Sequence, residues 1–284
     1  MTVKRVGIVG SGIMGSGVAE TAAKAGMEVV LRSRQQETAD GMVAVLEKSL
    51  AKQVEKGRLS EEDRDGTISR VSATSDLEAL ADCDLVLESI VEDLATKKAL
   101  FNDLDRVCQD STILATNTST LPVIEMAIET GRPDKVCGVH FFNPAPMMAL
   151  VEIVRPLTAS DDTIAAATAF AEACGKTPVQ VKDQAGFIVN ALLFPYLNNA
   201  VRLLENGTAN KDDIDSAMKG GCNFPMGPLA LLDLVGLDTS LAIIDALYDE
   251  FRDPNYAAVP LLRRMVSAGQ LGRKSGHGFY DYSR

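Results

Sequence analysis

Histidine is scarce in this chain, with His140 and His277 the two present among 284 residues. Any chemistry that runs through an imidazole must use one of them. Long apolar runs are missing as well: none approaches the roughly 18–20 residues needed to span a bilayer, so no membrane role is expected. The five cysteines (Cys83, Cys108, Cys137, Cys174 and Cys222) are odd in number and show no CxxC or zinc-type spacing. They read as reduced, mostly buried thiols of a cytoplasmic protein, not as disulfides or metal ligands. Positive charge is short, 28 Lys and Arg against 39 Asp and Glu, for a net charge of −11. That balance argues against a nucleic-acid partner, which needs a broad basic surface. It also means that a phosphate-bearing ligand has to be held by local cations. The opening MTVKRVGIVG runs straight into a glycine loop, so a secretory leader is not expected. No internal repeat or low-complexity segment stands out.

What is present suits a well-buried globule: 46% of the residues are apolar. The length allows one large domain or two modest ones. Short β-branched runs alternate with amphipathic stretches such as Leu94–Val107 over the first 180 or so residues. The spacing predicts strands at Val3–Val9, Glu28–Leu31, Ile68–Ala73, Leu85–Glu88, Thr112–Thr116, Val136–His140, Leu150–Val154 and Pro178–Val181. Several lack alternation, as strands covered by helices on both faces do. The rhythm predicts an α/β, Rossmann-type doubly wound domain with a largely parallel sheet. After Lys182 the pattern turns helical, with helices expected at Gly186–Glu205, Lys211–Gly220, Leu237–Phe251 and Pro260–Ala268 and no strand before the last few residues. The expected division is a dinucleotide-binding domain over residues 1–184 and an all-α C-terminal domain over residues 185–284, the boundary falling near Asp183–Gly186.

Gly10-Ser11-Gly12-Ile13-Met14-Gly15 follows the first strand at once and opens a helix. Glycines at Gly10, Gly12 and Gly15 permit a tight turn, close approach of a pyrophosphate, and close helix–strand packing, with the phosphates on the helix N-terminus. A nucleotide site is therefore expected here. The second strand ends in Arg32-Ser33-Arg34, and Ser33 stands 18 residues after Gly15, where an acidic residue normally accepts the adenosine ribose hydroxyls of NAD. A neutral Ser between two arginines can instead hydrogen-bond and neutralise a 2′-phosphate, which favours NADP(H) with NAD still possible. The alternative leaves both arginines in solvent while NAD binds through its pyrophosphate.

Lys48, Lys52 and Lys56 recur every four residues in the next helix, with Ser49 beside them. Such a stripe is either a solvated face or a hold for the phosphates of a nucleotide-bearing substrate. An alcohol dehydrogenation also needs a base. His140 closes an apolar strand and opens HFFNPAP; Glu152 lies twelve residues on, in the apolar strand after the proline-rich loop. If that loop reverses the chain, the two meet, and a carboxylate on one ring nitrogen makes the other a better base. Otherwise they are a core histidine bonded to backbone and an edge glutamate. Asn117-Thr118-Ser119 lies at the C-terminal end of a strand, where open α/β sheets bind ligands. Ser119 is a candidate for a substrate oxygen or else a cap for the segment near Pro122. Asn190 sits one turn into an apolar helix and is either interhelical glue or a site residue. His277, in the glycine-rich tail, is expected to be exposed.

GSGIMGSGVA, ATNTSTL, HFFNPAPMMALVEIV, AGFIVNALLFPYLNNAV, PMGPLALLDLVGLD and LGRKSGHGFYDY occur in this order along essentially the whole chain. The sequence thereby resembles the 3-hydroxyacyl-CoA dehydrogenase family, most closely its short stand-alone bacterial branch, the 3-hydroxybutyryl-CoA dehydrogenases. The resemblance implies reversible oxidation of a short-chain (S)-3-hydroxyacyl-CoA by NAD or NADP. It makes His140 the base and Glu152 its partner, and puts Ser119 and Asn190 on the reacting part of the substrate. It places Glu92, Lys97 and Asn143 on the nicotinamide-ribose side of the cofactor and Ser49 and Lys56 on coenzyme A. It also implies a homodimer formed through the helical C-terminal domain. The chain departs from the family where Ser33 replaces the usual Asp and Arg34 follows, which again favours NADP. A β-hydroxyacid dehydrogenase, the nearest rival, relies on a lysine in the interdomain helix, and Gly186–Val201 contains none. A non-catalytic, crystallin-like nucleotide binder need not keep Ser119, His140, Glu152 and Asn190 together. A fused hydratase–dehydrogenase is not expected at this length.

Overall fold

The computed structural model describes residues 2–283. The chain forms two compact units, one ending at Asp183 and the other beginning at Gln184. In the first, the strands are β1 (Arg5–Val9), β2 (Glu28–Arg32), β3 (Val71–Thr74), β4 (Leu85–Glu88), β5 (Ile113–Thr116), β6 (Val136–Phe141), β7 (Leu150–Arg155) and β8 (Thr177–Lys182). Between them lie α1 (Ile13–Lys24), α2 (Gln36–Glu55), α3 (Glu61–Ser69), α4 (Leu94–Val107), α5 (Val123–Ala127) and α6 (Asp161–Ala173). One sheet results, in the order β3-β2-β1-β4-β5-β6-β7-β8. Every neighbouring pair is parallel except β6 and β7. β1, β4, β5 and β6 are buried along nearly their whole length, which explains their unbroken apolar runs. β8 is mostly exposed and carries Pro178, which an edge strand tolerates because that side of it pairs with nothing.

Three of these helices begin where short polar residues satisfy their free N–H groups. Ser60, Asp93 and Ser160 each accept the N–H three residues on, opening α3, α4 and α6. The expected strand at Ile68–Ala73 needs correction: Ile68 and Ser69 finish α3 and the strand starts at Val71. The Ser60 cap and the acidic first turn Glu61-Glu62-Asp63 nucleate a helix that carries its β-branched Thr67 and Ile68 along. The core of this unit joins Val6, Ile8, Val29 and Leu31 to Leu85, Leu87, Ala115, Val139 and Ile153, with Val18, Ala19 and Ala22 of α1 and Phe170 of α6.

The second unit holds α7 (Val189–Glu205), α8 (Lys211–Cys222), α9 (Pro228–Val235), α10 (Leu237–Phe251) and α11 (Pro260–Ser267). Its own core includes Phe194, Leu197, Leu229, Leu232, Ile244, Leu247, Leu262 and Phe279. Two readings change. α7 starts at Val189, because Gly186 (φ 73°) and Phe187 (φ 48°) are left-handed and end any helix there. Asn190 thus sits at the start of α7, not a turn inside it. The Pro-Met-Gly-Pro segment, which lies outside the helices expected above, opens α9 through Pro228 in its first position. Among the described residues, the strand-like pairing of the tail consists of isolated bridges, Gly272 with His277 and His277 with Asp281.

Candidate active site

The glycine loop lines a cleft of about 750 Å³ with Arg32, Ser33 and Arg34 on one side and Ile90, Thr96, Leu100 and Asp103 on the other. Gly10 has φ 128°, and a Cβ there would stand 2.2 Å from the Ser89 carbonyl oxygen. At Gly15 a Cβ would stand 2.2 Å from the Gly10 carbonyl, whereas Gly12 faces open space. So Gly10 and Gly15 hold the turn tight, and Gly12 leaves the approach to α1 clear. α1 begins at Ile13 behind an N-cap glycine, Gly12, with no side chain capping it, which leaves its first N–H groups to a ligand. Ile13 is exposed and Met14 packs on the core.

The same cleft holds a guanidinium with an unused hydrogen-bond donor. Arg32 Nε is buried without a hydrogen-bond partner. Burial, and then the neighbouring Arg34, draw the Arg32 pKa below its ordinary value. A guanidinium in that state is stabilised by an anion. Asp103, which pairs with Arg106 on α4, is the carboxylate lining the cleft. The residues therefore fit a dinucleotide: a bare helix N-terminus for the pyrophosphate and two arginines flanking buried Ser33 at the adenosine end.

The antiparallel turnaround after β6 sets His140 directly opposite Glu152. His140 Nδ1 and Glu152 Oε2 are 2.7 Å apart, with His140 4% and Glu152 0% exposed. His140 Nε2 lies 3.0 Å from Ser119 Oγ, and the Phe142 ring leans on the imidazole with centroids 4.6 Å apart. Ser119 caps no helix. Val123 and Ile124, the first N–H groups of α5, donate instead to the Asp183 carboxylate. Asn117 Oδ1 accepts the Phe141 N–H at 2.8 Å and so ties the ends of β5 and β6 together. Asn143 is exposed in the loop beyond.

A second cluster adjoins this chain. Glu92 Oε1 accepts the Thr118 hydroxyl at 2.5 Å and the Ser119 N–H at 2.9 Å. Its other oxygen lies 3.3 Å from Lys97 Nζ. Lys97 is 1% exposed and donates to Glu88 Oε1 at 2.5 Å. Sequence reasoning missed Glu88. The available signal was an acid ending the apolar strand Leu-Val-Leu-Glu, in register with Thr116. It missed Glu20 too, a buried carboxylate on α1 that accepts from Ser49, Gln53 and Lys24.

Ser49 lines a separate pocket of about 290 Å³ with Gly12, Ile13, Glu20, Val45 and Pro144. Lys48, Lys52 and Lys56 are exposed, and Lys56 closes the C-terminal end of α2, where a cation meets the negative end of the helix. Asn190 belongs to the second unit and is buried there at 8% exposure. His277 is exposed, as expected from its glycine-rich surroundings, and pairs with Asp281.

A Rossmann domain with a glycine-loop cleft, and an imidazole held between a hydroxyl and a buried carboxylate at the sheet's ligand edge, defines a nicotinamide-dinucleotide-dependent dehydrogenase. The family models for the 3-hydroxyacyl-CoA dehydrogenase NAD binding domain and C-terminal domain match residues 5–184 and 186–282. The chain belongs to the 3-hydroxyacyl-CoA dehydrogenase family. It is 48% identical over 280 residues to a 3-hydroxybutyryl-CoA dehydrogenase of Clostridioides difficile, covering 99% of this chain and 100% of that one. The human mitochondrial hydroxyacyl-coenzyme A dehydrogenase is 42% identical, covering 99% of this chain and 91% of its own. The crystal structure of (S)-3-hydroxybutyryl-CoA dehydrogenase PaaH1 from Ralstonia eutropha superposes with a TM-score of 0.97 at 41% identity, covering 100% of both chains. No helix among the described residues is long and apolar enough to cross a membrane.

Proposed function

We propose that the chain catalyses the reversible oxidation of (S)-3-hydroxybutyryl-CoA and related short-chain 3-hydroxyacyl-CoA thioesters to the 3-oxoacyl-CoA, acetoacetyl-CoA in the first case. The observation that carries the reading is the Ser119–His140–Glu152 chain at the sheet edge, with its histidine and glutamate buried. With Nδ1–H donating to Glu152, the His140 Nε2 lone pair faces the Ser119 hydroxyl and is the group that takes the substrate hydroxyl proton, and Glu152 stabilises the imidazolium that forms. The Ser119 hydroxyl faces the same ring nitrogen at 3.0 Å, so base and donor converge on one substrate oxygen. In the reverse direction the imidazolium returns the proton. The bound nicotinamide supplies the hydride acceptor in oxidation and the hydride donor in reduction.

Gly10, Gly12, Ile13, Met14 and Gly15 would hold the pyrophosphate segment of the cofactor. Asn117, Glu92, Lys97 and Asn143 would hold its nicotinamide-ribose end. NADP(H) is preferred over NAD(H), because Arg32 Nε lacks a partner and Arg34 stands beside it around buried Ser33. Ser49, Lys52 and Lys56 would hold coenzyme A and Asn190 the acyl end. Residues 1–184 act as the dinucleotide-binding domain and 185–284 as the substrate and dimerisation domain. Exposed Leu192 and Leu203 on α7 are in keeping with a homodimer, and the free cysteines with a cytoplasmic setting. The test is loss of NADPH absorbance on adding acetoacetyl-CoA, repeated with NADH. The expected result is turnover with both and a higher kcat/KM for NADPH. No turnover with either would overturn the activity, and a higher kcat/KM for NADH would overturn the cofactor preference.

A further inference from the structure

Glu88 ends β4 with no exposed surface, in a position that any substrate reading passes over. Both of its oxygens are used. Oε1 accepts Lys97 Nζ at 2.5 Å and the Ile90 N–H at 2.6 Å; Oε2 accepts the Thr116 hydroxyl at 2.7 Å. A carboxylate taken wholly out of water is costly unless it is paired and hydrogen-bonded, and here it is both. Lys97 is in the same position from the opposite side, since its ammonium is also buried and depends on Glu88. What the pair accomplishes is visible one step further on. Lys97 Nζ lies 3.3 Å from Glu92 Oε2, although Glu92 is 41% exposed and otherwise has solvent to turn towards. Held there, Glu92 gathers the Thr118 hydroxyl and the Ser119 and Thr120 N–H groups on its other oxygen. Those contacts fix the backbone from which the Ser119 hydroxyl reaches His140.

We propose that Glu88 is a positioning residue for the reaction. It fixes Lys97, Lys97 fixes Glu92, and Glu92 fixes the loop that aims Ser119 at the His140 ring. The strand order makes the linkage short. β4, β5 and β6 are neighbours, so Glu88 stands beside Thr116 in register, and the loop leaving β5 carries Ser119 across to His140. A neutral amide in place of Glu88 keeps the shape but leaves the buried Lys97 with Glu92 as its one carboxylate. Glu92 is then drawn towards Lys97 and away from the Ser119 N–H. The inference rests on the dehydrogenase reading for its kinetic arm only.

The test is a double-mutant cycle of Glu88→Gln with Ser119→Ala, read in two ways. Kinetically, Glu88→Gln lowers kcat for acetoacetyl-CoA reduction by about 10- to 100-fold, as a small misplacement of a reacting group does, with KM for the thioester little changed. In the Ser119→Ala background the same substitution has much less effect, because residues acting through one group do not add. Spectroscopically, the chain's two histidines make the ring nitrogens easy to assign: in a His277→Asn background the ring ¹⁵N signals belong to His140 alone. Glu88→Gln should move the His140 Nε2 resonance, and Ser119→Ala should abolish that response. Additive kinetics with an unmoved resonance would reduce Glu88 to a core ion pair and overturn the proposal. If the wild-type protein does not turn over acetoacetyl-CoA, the functional reading fails, while the resonance still decides this one. Should Glu88→Gln fail to fold, Thr116→Val removes one bond from Glu88 and enters the same cycle, with a smaller effect of the same pattern expected.

Discussion

Two histidine–carboxylate pairs occur in this chain, and they share little beyond their chemistry. His140 and Glu152 face each other across two hydrogen-bonded strands at 2.7 Å, with their side chains 5% and 1% exposed. His277 and Asp281 meet at 3.3 Å within one glycine-rich tail, with side chains 57% and 70% exposed. In water the attraction between such charges is weak and screened; away from water it is several times stronger and directional. Geometry matters as much as dielectric. The sheet register fixes the first pair, and the second His140 nitrogen meets a hydroxyl supplied by a third element. His277 sits in single bridges to Gly272 and Asp281, where its ring has room to turn. An imidazole is suited to act as a base when its neighbours hold it in one orientation with one nitrogen turned to a hydroxyl, and among the described residues that arrangement is His140's.

The sharpest way to break this contrast is to remove each ring in turn. His140→Ala should lower kcat by about 10²–10⁴-fold, the range expected for loss of a positioned base. NADPH binding, followed by quenching of its fluorescence, should persist, because the glycine-loop cleft is lined by other residues. His277→Ala should leave kcat at the wild-type value. Equal losses from the two substitutions would sink the comparison.

A smaller effect follows from the carboxylates. Glu152→Gln keeps the length of the side chain but permits the wrong imidazole tautomer and leaves the imidazolium without its counter-charge. A fall in kcat is expected that stays within the loss caused by His140→Ala, since the imidazole itself remains but is held less often in the right tautomer. Steady-state rates with acetoacetyl-CoA would measure it. A Glu152→Gln enzyme of wild-type rate would show that Ser119 alone orients the ring.

Much of this was open to reading in the amino-acid order. The Gly10–Gly15 loop and the buried strands follow from local patterns, glycines where backbone must approach backbone and unbroken apolar runs. The meeting of His140 with Glu152 is one of two readings of the proline-rich segment, and the antiparallel register of β6 and β7 decides between them. Glu88 did not follow, because an acid at a strand end looks like surface until the register sets it beside Thr116 and α4 brings Lys97 over it. Glu20 was hidden in the same way, since its partners Ser49 and Gln53 come from another helix. α9 was missed because Pro-Met-Gly-Pro marks a turn and a helix start equally well. Partners that a short connection brings together, as with His140 and Glu152, can be read as a possibility in sequence; those that arrive from distant elements cannot.

The tail around His277 sharpens the comparison from the other side. Its order comes from Asp233, 1% exposed, which accepts the Phe279 and Tyr280 N–H groups at 2.9 Å. A Cβ on Gly278 would stand 2.0 Å from Asp233 Oδ1. Gly278→Ala should therefore destabilise the protein by about 1–3 kcal/mol, the usual range for overpacking, while His277→Ala leaves the melting point unchanged. Thermal unfolding of the two variants side by side would show it. Equal melting points for Gly278→Ala and wild type would mean that the tail docks less tightly than its hydrogen bonds imply.

The smallest effect belongs to the exposed pair itself. Asp281→Asn removes the charge facing His277 but keeps an oxygen to accept the Ser283 N–H, so the local turn survives. The Asp281 carboxyl is held below its usual range first by its hydrogen bonds from Ser283, with His277 contributing less. Because the amide oxygen still accepts the Ser283 hydrogen bonds on this exposed turn, removing the charge should take little from the fold. A solvated ion pair of this kind also loses most of its attraction to screening at physiological salt. No measurable change is expected in melting temperature, in kcat, or in the response of either to added salt. A salt-dependent loss of stability on Asp281→Asn would show that the exposed pair acts as more than a surface contact, and the difference between the two histidines would then rest on position in the fold and no longer on burial.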